Sequence, residues 1–397
     1  MKKFDVVVVG AGVIGISTAW AIKRSDPKAR VLVVDKESVS GKHASGRNSG
    51  VIHAGFYYSP DSLKAKFCLK GNQELSSLIA RNKIPILKCG KVVVTRNAAE
   101  EAQLEKLFAR GTSNGVEIKL LPKKALREIE PFAATFENFL WSPNTSVSDP
   151  GLVIEAIKKE AKDVGVEFRF DTEFSFSDFN AKINGENVTF SHLVNCAGSY
   201  ALDVAKDYNF GNRYLTLPFM GRYLKTGEKN FKLNTLIYPV PHPVNPFLGV
   251  HLTRTIDGNV KIGPTAIPLF GKEQYSLFKG INFAEIIESA RGLIALIRGQ
   301  AHDVSEILVN EMPKVIARNL IREVSSIAPE IGRVKGWKPA PAGIRAQLVN
   351  TLNGELVQDF ILEGDNYSTH VLNAVSPGWT SAIPFGEYIA ECVLSKL

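Results

Sequence analysis

The chain opens on a short apolar run, Phe4–Val9 (FDVVVV), with Gly10-Ala11-Gly12-Val13-Ile14-Gly15 directly after it. The run is apolar on both faces, as a central parallel strand requires. Ile16–Ile22 continues with helical character, and Arg30–Val34 (RVLVV) is a second buried strand ending at Asp35. Strand, G-x-G-x-x-G, helix, strand and acid in that order predict a dinucleotide-binding unit. Gly10 permits the tight turn, Gly12 lets the backbone approach a pyrophosphate, and Gly15 lets helix and strand pack closely. The helix start at Val13 and Ile14 offers free N–H groups and partial positive charge to phosphates. Asp35 is suited to accept from ribose hydroxyls and disfavours a 2′-phosphate, which argues against NADP.

The next stretch separates FAD from NAD. After Lys36-Glu37 the chain becomes small, polar and glycine-rich from Ala44 to Gly55. That suits a backbone running along an extended cofactor, whereas a nicotinamide enzyme normally enters another βα unit. Lys36, Ser45, Arg47, Asn48, Ser49 and Gly50 are the expected contacts there. Ser191–Ser199 reads as a strand ending in a small-residue turn at Ala197 and Gly198. Asn373–Ile383 reads as a turn followed by a helix starting near Thr380. Its N-terminal region, with Gly378, Thr380 and Ser381, is placed to stabilise negative charge on a reduced flavin. Three such turns spread over the chain favour FAD.

Length and charge bound the rest. The 397 residues suffice for two domains, and 45% hydrophobic with 22% charged residues is ordinary for a globular protein. The net charge of +8 is scattered, with no dense Lys/Arg block, so it reads first as a solvated surface, next as attraction for small anions, and least as a nucleic-acid site. The four cysteines form no C-x-x-C pair and lie near no histidine at ligand spacing. They are expected as free thiols in a reducing cytoplasm, with no metal site. Met1-Lys2-Lys3 and the apolar run to Ile22 imitate a signal peptide, but three glycines interrupt the run. No transmembrane helix is expected.

The expected fold class is α/β: a Rossmann-type FAD-binding domain with a second α+β substrate domain, whose mixed sheet roofs the flavin. Residues 1–90, 146–215 and 335–397 are assigned to the first, and 91–145 and 216–334 to the second. Within the first, Gly151–Val164 reads as a helix and Val166–Phe170 as a strand. Asn184-Gly185 reads as a hairpin turn before a strand Asn187–Phe190. In the second, Arg213–Leu217, Gly221–Leu224, Asn234–Pro239, Phe247–Thr253 and Val260–Ile262 read as strands. Phe283–Arg298, Val304–Asn310 and Pro313–Ile327 read as helices.

Asn48-Ser49-Gly50-Val51-Ile52-His53-Ala54-Gly55-Phe56-Tyr57-Tyr58, followed by Ser62-Leu63-Lys64-Ala65, resembles a signature of the D-amino-acid oxidase superfamily. Within it, the likeness is to the L-2-hydroxyglutarate dehydrogenase/oxidase family. Tyr238–Pro241, Pro246–Thr253, Ile262–Pro264, Ala342–Gln347 and the Ser376-Pro377 turn resemble that family too. The resemblance implies an FAD enzyme that oxidises a small 2-hydroxy acid. This family usually has Ser-Pro-Ala-(Ala/Phe)-Thr-Ser; here the chain reads Ser376-Pro377-Gly378-Trp379-Thr380-Ser381, which places Trp379 at the substrate pocket.

Such an oxidation removes a proton from the hydroxyl and a hydride from the α-carbon. Arg345 offers a planar fork that fits a carboxylate bidentately. His53 and His251 are the candidate bases, and the sequence does not choose between them. Tyr57, Tyr58 and Arg254 are candidates for a second carboxylate. His43 and His242 are assigned to the surface. The same clamp and flavin serve an amine oxidase acting on a D-amino acid, glycine or sarcosine, which stands as the alternative activity. A flavin-bearing docking module is a further alternative of another class. The electron acceptor is open among oxygen, a quinone and a protein. Peripheral contact with the inner membrane through the apolar Gly292–Ile297 segment is weighed against buried helix packing.

Overall fold

A computed structural model describes residues 3–177, 180–227, 231–242, 248–276, 280, 282–299 and 309–397. Met1, Lys2, Pro246-Phe247 and most of Val304–Asn310 lie outside the described residues.

Strand Lys3–Val9 occupies the middle of a six-stranded sheet. The order is Ile361–Gly364, Ser368–Leu372, Thr189–Asn195, Lys3–Val9, Val31–Val34, Glu167–Arg169. All neighbours are parallel except the first pair. Alternation explains why FDVVVV is apolar throughout. Val6 and Val8 join one core with Val31, Val33 and the helices Val13–Ser25, Pro150–Asp163 and Ala382–Leu394. Val7 and Val9 join Leu32, Val34 and the Phe174 and Ile183 side chains on the opposite face. The α/β class is therefore observed, with the sheet as the middle layer.

The ten-stranded second sheet runs Glu355–Leu356, Lys338–Asn350, Tyr214–Gly227, Asn259–Gly263, His251–Arg254, Leu236–Pro239, Lys91–Val94, Asn138–Ser142, Lys119–Pro122. Ile267–Pro268 pairs off this path. It is mixed, because Leu236–Pro239 and Lys91–Val94 pair in parallel. One face, with Val92, Val94, Ile237 and Leu252, is covered by the helices Lys123–Ile129 and Ala317–Val324.

Several elements depart from the sequence reading. Arg213–Leu217 and Gly221–Leu224 are one 14-residue strand, Tyr214–Gly227, with an irregularity between Gly221 and Tyr223. Pro218 and Gly221 look like breaks in sequence, but eleven residues of the strand Lys338–Asn350 pair alongside and carry the strand through. The segment following residue 335 does not return at once to the parallel sheet. Lys338–Asn350 belongs to the ten-stranded sheet, and the parallel sheet resumes at Ile361. The pairing partner of a strand is non-local, so periodicity does not reveal it. The Asn187–Phe190 strand is divided: Glu186–Asn187 closes a hairpin at Asn184-Gly185, and Thr189–Asn195 enters the parallel sheet. The last helix begins at Ala382, two residues beyond Thr380.

Candidate active site

The two sheets enclose a cavity of about 1210 Å³. That exceeds the usual ~300–1,000 Å³ of a pocket for one drug-sized ligand, as an extended cofactor with a substrate requires. It begins at Val13 and Ile14, passes Ala44, Ser45, Arg47, Asn48 and Ser49, and reaches His53 and the turn Gly378-Trp379-Thr380. Gly198 lines it from the turn that ends Ser191–Ser199.

Local chemistry shapes this track. A Cβ on Gly10 would lie 2.4 Å from the Cys196 carbonyl oxygen, and one on Gly15 would lie 2.0 Å from that of Gly10. Only glycine lets strand, turn and helix pack this closely. Ser45 Oγ accepts from Val13 N at 3.0 Å, tying the polar stretch to the helix start. Asn48 donates to the Ser45 carbonyl and accepts from Gly50 N at 2.8 Å. Arg47 stacks over Tyr275 at 4.1 Å.

Gly10, Gly12, Gly15, Asp35, Lys36, Gly50, Ala197 and Ser381 do not line the cavity. Asp35 accepts from Ala11 N at 2.6 Å and from Glu37 N at 2.9 Å. Lys36 lies over Tyr200 at 4.4 Å and pairs with Glu273. His43 is not a free surface ring, since it bonds Tyr275 and Glu37 at 2.6 and 2.8 Å. Glu37, His43 and Glu273 bring ligand-type atoms within 4.8 Å of one another. Lys36 and Lys42 pair with the same carboxylates, so the group is a compensated ion cluster. His242 is exposed, in keeping with its surface assignment, and also lines the cavity.

At the inner end, His53, His251, Tyr57, Tyr58, Arg345 and Trp379 all line one cavity. The His53 backbone is held from both sides: its N–H donates to Thr380 Oγ1 at 3.1 Å, and its carbonyl accepts from Asn72 at 3.0 Å. Its imidazole Nδ1 is buried and finds no hydrogen-bond partner among the described residues. His251 donates from Nδ1 to the Gly249 carbonyl at 2.9 Å, because a carbonyl only accepts. That fixes the tautomer with a bare Nε2. Its ring stacks on Tyr238 at 3.8 Å. Desolvation, then the Lys91 charge, holds His53 well below the usual imidazole value. Burial outweighs the Gly249 bond and, with Lys91 and Arg345, brings His251 down to about 3. Both rings are thus neutral at pH 7 and open as proton acceptors.

Arg254 is not brought to the cavity. Along His251–Arg254 the faces alternate, so Leu252 points into the opposite core and Arg254 lies on that side, acting on Glu130 and Cys89. Sequence reading missed Tyr238, Lys64 and Lys91. Lys64 is buried and its ammonium is pulled down to about 8 by desolvation. Among the described residues, the charged side chains lining the cavity are Arg47, Lys64, Lys106, Arg110 and Arg345 against the single carboxylate of Glu355. Such a wall attracts anions.

The cavity also fits the cofactor the turns imply. Among the described residues, Trp379 Nε1 is buried without a hydrogen-bond partner beside the Gly378 turn, and a Cβ at Gly198 would meet open space. A family model described as FAD dependent oxidoreductase matches residues 5–392. The chain belongs to that family. It is an FAD-dependent oxidoreductase.

Among curated proteins, the chain is 34% identical over 400 residues to an L-2-hydroxyglutarate dehydrogenase from Salmonella houtenae. The match covers 98% of this chain and 93% of that protein. A mitochondrial L-2-hydroxyglutarate dehydrogenase from Caenorhabditis briggsae is 31% identical, covering 100% and 94%. Among solved structures, FAD-bound L-alpha-glycerophosphate oxidase from Mycoplasma pneumoniae superposes with a TM-score of 0.73 at 24% identity, covering 99% and 95%. Glycine oxidase from Geobacillus kaustophilus gives 0.73 at 14% identity, covering 100% and 96%. These structural likenesses establish the fold.

Proposed function

We propose that this FAD enzyme oxidises L-2-hydroxyglutarate to 2-oxoglutarate. The observation that carries the reading is the inner cavity wall, where two neutral imidazoles and the Arg345 guanidinium face one electropositive space. Full-length similarity to L-2-hydroxyglutarate dehydrogenases supports the choice of acid.

In this reading the parallel sheet and its helices bind FAD, and the ten-stranded sheet supplies the substrate wall. Gly10, Gly12, Val13, Ile14 and Gly15 present the helix start to the pyrophosphate. Asp35, which accepts from Ala11 N in the glycine turn, and Lys36 are assigned to the adenosine half, beyond the described cavity lining. Ser45, Arg47, Asn48, Ser49 and Gly50 follow the cofactor, while Ala197, Gly198, Gly378, Thr380 and Ser381 border it from the later turns. Held there, FAD would supply the acceptor for the hydride leaving the α-carbon. Arg345 clamps the carboxylate next to the reacting carbon. His53 takes the hydroxyl proton, and His251, with Nε2 bare, accepts a hydrogen bond that orients the same hydroxyl. Tyr57, whose buried hydroxyl has no hydrogen-bond partner among the described residues, and Tyr58 donate to the distal carboxylate. Trp379 bounds the pocket beside the flavin.

Anaerobic mixing of the holoenzyme with L-2-hydroxyglutarate is expected to bleach the flavin absorbance. Bleaching by a D-amino acid, glycine or sarcosine but not by L-2-hydroxyglutarate would sink this reading in favour of an amine oxidase.

The proposed acceptor is a membrane quinone, reached by a cytoplasmic enzyme resting on the inner membrane. No helix among the described residues is long and apolar enough to cross a membrane. The helix Phe283–Arg298 buries Gly292 and Leu296, yet Phe283 is 78% and Ile297 61% exposed, with Ile287 and Ile294 also outward. Arg291 and Arg298 share this helix, and an apolar face edged by arginine suits an anionic bilayer. The holoenzyme is expected to float with phosphatidylglycerol vesicles and to lose flotation as Phe283→Glu/Ile297→Glu. Failure of the native enzyme to float leaves oxygen or a protein as the acceptor.

A further inference from the structure

Lys91 opens the strand Lys91–Val94, third from one edge of the ten-stranded sheet, and is fully buried. Among the described residues its ammonium has no hydrogen-bond acceptor and no ion pair. Instead it sits among three rings, 4.5 Å from the centroid of Tyr238, 4.7 Å from Tyr57 and 4.9 Å from Phe56. Alternation sets Lys91 and Val93 on the face that carries Tyr238, which pairs with Val93. Tyr57 and Tyr238 line the cavity, so one layer of aromatic rings separates this amine from the substrate space.

A buried cation without an anion is costly, and ring faces replace only part of its hydration. The cage favours the cation but contains no charge to balance it. The missing anion has one evident source, the carboxylate that enters the cavity beyond the rings. We propose that Lys91 is a positioning residue that takes up a proton from solvent as the anionic substrate binds, turning the wall behind Tyr57 and Tyr238 positive when the cavity is filled. The inference rests on the 2-hydroxy acid reading of the same site.

The surrounding groups agree. Desolvation lowers Lys91 to about 7, and its charged-group influences are the thiols of Cys68 on the helix Leu63–Arg81 and Cys89 ahead of its own strand. Burial pushes those thiols up to about 12 and about 11, so they are neutral and offer no counter-charge. Tyr57 and Tyr238 are held protonated by burial. His53 and His251 face the same amine and are neutral. Lys64, on the cavity wall and lowered to about 8 by desolvation, is a second amine whose proton uptake the test has to separate.

The test uses the oxidised holoenzyme and 2-oxoglutarate at pH 8. Calorimetric titration in two buffers of different ionisation enthalpy reads the protons taken up per ligand bound. Native enzyme and Lys64→Met are expected to take up a large fraction of one proton, and Lys91→Met to lose most of it. The KM for L-2-hydroxyglutarate is expected to be flat below about pH 7 and to rise up to tenfold per pH unit above it. In Lys91→Met it is expected to be high and flat, with kcat changed less. Because methionine removes a buried amine that has no hydrogen-bond partner among the described residues, Lys91→Met is expected to melt at or above the native temperature. Absence of proton uptake by the native enzyme overturns the proposal without any variant. Uptake retained in Lys91→Met assigns it elsewhere, and a lower melting temperature in Lys91→Met makes the residue structural. A native flavin that L-2-hydroxyglutarate does not bleach overturns the substrate reading instead. A bleached flavin with a pH-independent KM overturns only the role of Lys91.

Discussion

His53→Ala is expected to retain FAD while reducing it on the order of 10²–10⁴-fold more slowly. The size follows from losing a positioned proton acceptor, and the selectivity follows from how the residue is held. Thr380 and Asn72 grip the His53 backbone, which alanine keeps, and the imidazole Nδ1 has no partner to orphan. The turn Gly378–Thr380 that borders the cofactor is therefore left in place. Stopped-flow bleaching under anaerobic conditions gives the rate, and the flavin-to-protein absorbance ratio gives occupancy. The native enzyme has a further signature. Both imidazoles have lowered affinity for protons, so they stay neutral, and reduction stays fast, until pH falls well below 6.5. Native reduction rates in His53→Ala would move the base to His251, whose bare Nε2 is the remaining acceptor.

What the sequence made legible was local. Gly10, Gly12, Gly15 and Asp35 specify their unit because turn, helix start and second strand are neighbours along the chain. His53 was legible for a similar reason, since Ala44–Gly55 is one continuous polar track. Arg254 was misplaced because the strand His251–Arg254 faces both ways, and the residue that faces the cavity depends on which core Leu252 joins. Arg345 was found as a residue but not in its sheet. Its strand pairs with Phe219 across the chain, a contact that no window of sequence contains. Lys91 was hidden more completely. Heading a Val-Val-Val run, it looks like the solvated end of a strand. Only the meeting of Phe56, Tyr57 and Tyr238 from distant segments encloses it.

Arg345→Met is expected to lower kcat/KM by on the order of 10²–10³-fold, the cost of truncating one partner of a desolvated charge pair at about 3–4 kcal/mol. Arg345→Lys is expected to recover only part of this, because an ammonium keeps the charge but loses the bidentate fork. Steady-state kinetics over a range of L-2-hydroxyglutarate concentrations separates the two. A recovery to native kcat/KM by lysine would show that charge alone suffices and that the fork does not clamp the carboxylate. A second readout is independent of substrate affinity. The Arg345 charge is one of the influences that lower His251, so its removal raises the proton affinity of that imidazole. The acid limb of flavin reduction then moves to higher pH in Arg345→Met and stays near its native position in Arg345→Lys. A variant that merely disturbed the strand Lys338–Asn350 would lose rate in both substitutions alike. The opposed behaviour of the two therefore ties the guanidinium to the cavity rather than to the sheet.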